Sequence, residues 1–156
     1  MKWKDWLEKW NMTSLKINAG FLEVDWEPSD PDKNAAWDLY IELLTRIATQ
    51  NLDETNGDEN AALKSVYSLF PTTRSIIRQY GRGCFEFTKI AIVVLNQIVR
   101  PFTSKWHKIL ETEGLDDNEM KAEFRQELTD IQFTLRIYTQ MLADMAGVEN
   151  LTELEE

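Results

Sequence analysis

Seven apolar residues, Phe124, Leu128, Ile131, Leu135, Tyr138, Leu142 and Met145, recur at alternating spacings of four and three. That alternation is one stripe of an α-helix, and it commits the segment to a long amphipathic helix that must bury the stripe against something. Leu115-Asp116-Asp117 supplies the turn and N-cap, and Gly147 follows Ala146 as the stop. About 30 residues at 1.5 Å each give a rod of about 45 Å.

Three further helical segments are available to cover it. Asp30-Pro31 reads as an N-cap and first helical residue. From there a helix runs to about Gln50, with Ala36, Leu39, Tyr40, Leu43 and Ile47 as its stripe, widened by Trp37, Ile41 and Leu44. Asn51 to Asp58, containing Asn56-Gly57, ends it. A second helix carries Leu63, Val66, Tyr67 and Phe70 up to Pro71, which either kinks it or starts a new one through Ile76, Ile77 and Tyr80. Gly81 and Gly83 reverse the chain. A third spans roughly Cys84 to Glu113; its first half is apolar nearly all round, which marks the most buried element, and Pro101 is expected to bend it.

Residues before Pro31 follow other rules. Trp3, Trp6, Leu7 and Trp10 stand at helical spacing, with Lys4, Asp5, Glu8 and Lys9 opposite. A helix this short does not persist alone in water, so it docks on its own bundle, on a partner or on a membrane interface. From Ser14 to Trp26 the apolar residues Leu15, Ile17, Leu22, Val24 and Trp26 alternate around Asn18-Ala19-Gly20, the pattern of a small β-hairpin or an extended arm. Short connections make neighbouring long helices antiparallel. The expected architecture is a mainly α single domain over 1–156: an N-terminal helix and arm (1–30), an antiparallel four-helix bundle (31–146) and a frayed acidic tail (147–156).

With 43% hydrophobic residues and six tryptophans, the chain has the means to bury a core. Its formal charge of -10 repels phosphate backbones and argues against nucleic acid. The single Cys84 forms no intrachain disulfide, which fits a reducing cytoplasm. MKWKDWLEKW lacks the apolar core of an export signal, and the longest apolar run, Ile90 to Leu95, falls far short of a membrane span.

Catalysis finds little to work with. A di-metal carboxylate site in a bundle needs Glu-x-x-His on two helices, and His107 is the only histidine, preceded three residues earlier by Ser104. Cys84 and His107, the one Cys-His combination, are separated by roughly 35 Å if one helix carries both. No metal and no cofactor are expected, and no enzyme. Arg74, Arg78 and Arg82 follow Pro71 at spacings of four; with Arg100 they form a candidate anion-binding face, or they neutralise neighbouring acidic faces. Arg100-Pro101-Phe102-Thr103-Ser104-Lys105-Trp106-His107 gathers a helix-bending proline, hydroxyls, cations and aromatics, the composition of a small pocket. Glu42 and Arg46 read as an i, i+4 surface pair.

The segments AAWDLYIELLTRIATQ (35–50), SVYSLFPTTR (65–74) and IAIVVLNQIVRPFTSKWHKI (90–109) are similar to those of a family of small bacterial proteins without an assigned activity. The resemblance implies a bacterial, cytoplasmic, non-catalytic accessory protein of a multi-component system such as defence against phage, and it assigns no site residues. The expected function is a helical protein–protein interaction module, self-association included. Trp3, Trp6, Leu7 and Trp10 are its candidate contacts, because tryptophan is enriched in interface hot spots. The alternative is a sensor for an anionic small molecule held by Arg74, Arg78, Arg82 and Arg100; an enzyme ranks third.

Overall fold

The computed structural model describes residues 1–46, 48–50, 52, 58–152 and 154. The described residues are mainly helical. In chain order the helices are α1 (Trp3–Lys9), α2 (Ala19–Leu22), α3 (Asp30–Leu44), α4 (Glu59–Tyr67), α5 (Leu69–Tyr80), α6 (Phe85–Val94), α7 (Arg100–Thr112) and α8 (Asn118–Ala146). A 3₁₀ turn, Gly81–Cys84, joins α5 to α6, and a π-helical segment, Leu95–Val99, joins α6 to α7.

The long stripe reads true. Phe124, Leu128, Ile131, Leu135, Tyr138, Leu142 and Met145 are all buried, Asp117 caps α8 by accepting from Glu119 N–H at 2.9 Å, and Gly147 ends it in the left-handed conformation. Its most extensive partner is α3, which also packs against α5 and α6. The centre of the core is therefore α3 on α8. The expectation that the segment from Cys84 would be the most buried is corrected, because Phe85 and Ile92 on α6 are exposed.

Several boundaries move for identifiable reasons. The cap of α3 is Ser29, one residue before the expected Asp30: its hydroxyl accepts from Asp32 N–H while the Asp32 carboxylate accepts from Ser29 N–H at 2.8 Å, a reciprocal capping box. At its other end α3 stops at Leu44, not near Gln50. Thr45 Oγ1 donates to Ile41 O at 2.9 Å and Thr49 Oγ1 donates to Leu43 O, so side-chain hydroxyls replace the continuing helix ladder. Ile47 and most of the Asn51–Asp58 turn lie outside the described residues. From α8, Gln132 Nε2 and Arg136 Nε donate to the carbonyls of Gln50 and Thr49 at 2.7 and 2.8 Å, satisfying the backbone where α3 has ended.

Pro71 starts a helix instead of kinking one. The break falls at Ser68, which places Pro71 in the first turn of α5, where a missing N–H costs no ladder bond. Before Pro101 the ladder widens: Arg100 N–H donates to Leu95 O, an i to i+5 bond.

Of the hairpin or extended arm expected between Ser14 and Trp26, the hairpin does not form. The described residues there contain the helical turn α2 and no strand, and residues 2 and 25 meet in a single antiparallel bridge. Asn18 caps α2 by accepting from Gly20 N–H at 2.8 Å. Gln97 then reads the arm's backbone, accepting from Lys16 N–H and donating to Lys16 O, both at 2.8 Å. The tail is tied down through Thr152. Tyr40 Oη accepts from Leu151 N–H at 2.8 Å and donates to Glu149 O at 3.2 Å, and Gln140 Nε2 donates to Thr152 Oγ1. Among the described residues no helix is long and apolar enough to cross a membrane.

Candidate functional site

The N-terminal tryptophans face inward. Trp3, Trp6 and Leu7 are buried in the core and Trp10 is half-buried against it. Trp3 Nε1 donates to Glu86 on α6 at 3.0 Å, while Trp6 Nε1 and Trp10 Nε1 both donate to Asp144 Oδ2 on α8, at 2.8 and 3.3 Å. Lys9 Nζ lies 3.4 Å from the same oxygen. Trp6 also stacks on Trp26 at 4.7 Å between centroids, and Trp3 packs edge-on against Trp6. Of the three placements open to this helix, α1 takes the one on this chain's own bundle, which buries Trp3, Trp6 and Leu7. Asp144 is the residue that sequence reasoning missed; its signal is a lone acid inside Met141-Leu142-Ala143-Asp144-Met145-Ala146.

The arginines do not form one stripe. Arg74 and Arg78 are exposed one turn apart on α5, but that helix ends at Tyr80, and Arg82 sits in the 3₁₀ turn beyond Gly81. Gly81 has φ 63° and ψ -147°, a conformation almost confined to glycine, so the register that would have continued the stripe is lost there. Arg100 lies over the Phe70 ring at 4.7 Å and its Nε donates to Asn96. None of the four has an acidic partner within 4 Å among the described residues.

Around Pro101 a groove of about 430 Å³ is lined by Ile98, Pro101, Phe102 and Ile131 with Lys105 and Glu127 at its edge. Lys105 bridges Glu123 and Glu127 at 2.8 and 2.6 Å, and these bonds raise its pKa, holding it as a cation. His107 lies outside this groove, edge-on to Tyr67 at 5.0 Å. Cys84 is buried at the end of the 3₁₀ turn, its thiol 3.2 Å from Gly81 O and close to Thr88, while His107 packs on Tyr67; among the described residues no hydrogen bond joins the two. No group of three or more His, Cys, Asp or Glu suited to a metal ion occurs among the described residues.

A different surface collects exposed apolar and charged side chains. Trp37 and Ile41, one turn apart on α3, were expected to widen its buried stripe; instead they are 42% and 38% exposed. They rim a groove of about 430 Å³ between α3 and α5, with Asp38, Glu42, Thr72 and Gln79 as its polar lining. The two helices are tied at both ends. Tyr80 Oη donates to Asp38 Oδ2 at 2.8 Å; Arg46 pairs with Glu42 at 2.6 Å, donates to Thr72 Oγ1 at 3.0 Å and also reaches Ser68 Oγ. The Glu42–Arg46 pair is thus the hub of a helix junction. These bonds run α3 and α5 antiparallel, with Asp38 beside the end of α5 and Glu42 beside its beginning. Compared with known protein families, with curated proteins and with solved structures, the chain matches none.

Proposed function

We propose that this chain is a non-catalytic interaction module. Its scaffold is an antiparallel bundle of four rods, α3, α4–α5, α6–α7 and α8, and its binding surface is the α3–α5 face bearing Trp37 and Ile41. One observation carries the reading. Of six tryptophans five are buried or half-buried, and Trp37 alone stands exposed, beside an apolar neighbour and a groove. Tryptophan in that setting is the usual anchor of a protein interface, and the surrounding Asp38, Glu42 and Gln79 resemble its polar rim. The bacterial, cytoplasmic and accessory role follows the family resemblance.

The test is quantitative co-purification from a bacterial lysate with wild-type protein, Trp37→Glu and, as an exposed control, Phe133→Ser. The expected result is a partner retained by wild type and control and lost by Trp37→Glu. Equal recovery by all three overturns the reading, as does the absence of any specific protein together with a chain that stays monomeric up to millimolar concentration.

A second reading rests on Arg74 and Arg78, exposed cations without an acidic partner within 4 Å among the described residues. They suit an anionic ligand. Inorganic phosphate or polyphosphate should then raise the melting temperature of wild type and not of Arg78→Ala; equal behaviour removes this reading.

A further inference from the structure

We propose that the α3–α5 face binds a second copy of this chain, in a symmetric dimer whose two-fold axis runs along α5. The inference rests on the reading of this face as an interaction surface and names its occupant. It follows from how charge is laid out across α5. At 100° per residue, Arg74 and Arg78 lie on one flank of α5, Pro71 and Ser75 form its exposed crest, with Ser75 at the lip of the groove, and Thr72 and Gln79 turn into the groove. Beyond the groove stand Asp38 and Glu42 with Trp37 and Ile41; Arg46 pairs with Glu42 at 2.6 Å, which leaves Asp38 as the side's net negative charge. The face is therefore basic on one side of the crest and acidic and aromatic on the other.

A two-fold interface sets each surface against itself. With the axis across α5, basic side would meet basic side and acidic side acidic. With the axis along α5, the two α5 helices lie parallel, crest to crest, and each copy's basic flank faces the other's acidic flank. The register agrees as well. Tyr80 Oη–Asp38 places Asp38 level with the last turn of α5, where the other copy's Arg78 stands, and the Arg46 bonds to Thr72 and Glu42 place Glu42 level with its first half, where the other copy's Arg74 stands. Trp37 and Ile41 gain cover in the same arrangement. Serine at the crest lets the helices approach. Two helices of this length present a footprint of about 500 Å² per copy, at the low end for a specific interface, so the dimer is weak and concentration-dependent.

The experiment is sedimentation velocity on the full chain across a micromolar-to-millimolar series, with Arg78→Glu, with Asp38→Lys and with the two variants mixed, each first checked by thermal melting. Wild type should dimerise. Each charge reversal alone should weaken association tenfold or more, and the equimolar mixture should restore it as a heterodimer, because both of its contacts are then attractive. Independently, Ser75→Cys should form an intermolecular disulfide with its own counterpart under mild oxidation, whereas Ser104→Cys on α7 should not. A wild type that stays monomeric throughout, reversals without effect, or no Ser75 cross-link overturns the proposal. A monomeric wild type together with a different protein lost by Trp37→Glu would leave the interaction reading standing and remove the second copy alone.

Discussion

Asp144 accepts from two indoles on one oxygen and faces Lys9, so its removal leaves the buried Trp6 N–H without an acceptor. An unmade hydrogen bond inside a core costs more than an average bond contributes. Asp144→Ala should lower stability by about 2 kcal/mol, and Asp144→Asn, which keeps an oxygen but loses the charge, by about half as much. Urea unfolding monitored by circular dichroism measures both. Tyr138 poses the reverse case. Its hydroxyl is buried with no hydrogen-bond partner among the described residues, and burial alone pushes its pKa far above the ordinary tyrosine value of 10.0. Since the folded pKa exceeds the unfolded one, the neutral phenol is favoured in the fold. That contribution is fully present below pH 10 and is lost as pH rises beyond it, because the unfolded chain then ionises more readily. Tyr138→Phe should therefore be neutral or stabilising by about 1 kcal/mol near neutral pH, and its alkaline decline above pH 10 should be shallower than wild type in a melting series.

At the scale of elements, the joints between helices are set by single residues. Gly83 lets Pro31 approach: a Cβ there would stand 3.0 Å from Pro31 Cγ. Asp32, besides capping α3, accepts from Phe87 N–H at 3.0 Å and so caps the first turn of α6, 55 residues away in sequence. Gly81 turns α5 into the 3₁₀ segment with a backbone that side-chain-bearing residues rarely adopt, so Gly81→Ala should cost about 1–3 kcal/mol, whereas an exposed mid-helix substitution such as Gln79→Ala should stay within about 0.5 kcal/mol; thermal melts compare them. Joints of this kind are partly legible in a sequence. Gly147, Asp117 and the heptad-like stripe of α8 announce themselves because each acts on its nearest neighbours in the chain. Asp32 bonding to Phe87, or the Thr45 and Thr49 hydroxyls unwinding α3, depend on tertiary placement that local pattern does not encode. Between Ser14 and Trp26, alternation suggested strands; Asn18 capping a helical turn and Gln97 pairing with the Lys16 backbone prevailed.

At the scale of the whole molecule, the core was easier to foresee than the surface. Buried stripes are periodic, and α8 on α3 follows from them. The candidate face was misjudged because Trp37 and Ile41 share the apolar character of the stripe they adjoin, and hydrophobicity alone does not say on which side of Tyr40 the core ends. The abundance of tryptophan drew attention to a segment that the fold turns inward: Trp3, Trp6 and Trp10 look like an attachment until Glu86 and Asp144 supply their acceptors. That placement also decides what tryptophan emission reports. Half of the six indoles belong to one seven-residue helix and the residue after it, held by two carboxylates, and Trp26 stacks on the same cluster. Short terminal segments are the first to open when a fold is stressed. Fluorescence should therefore lose its native signal at a lower denaturant concentration than far-ultraviolet circular dichroism, which follows α3 and α8. The gap between the two curves measures the release of α1, and should widen in Asp144→Ala. Superimposable transitions would instead show that α1 and the bundle unfold as one cooperative unit.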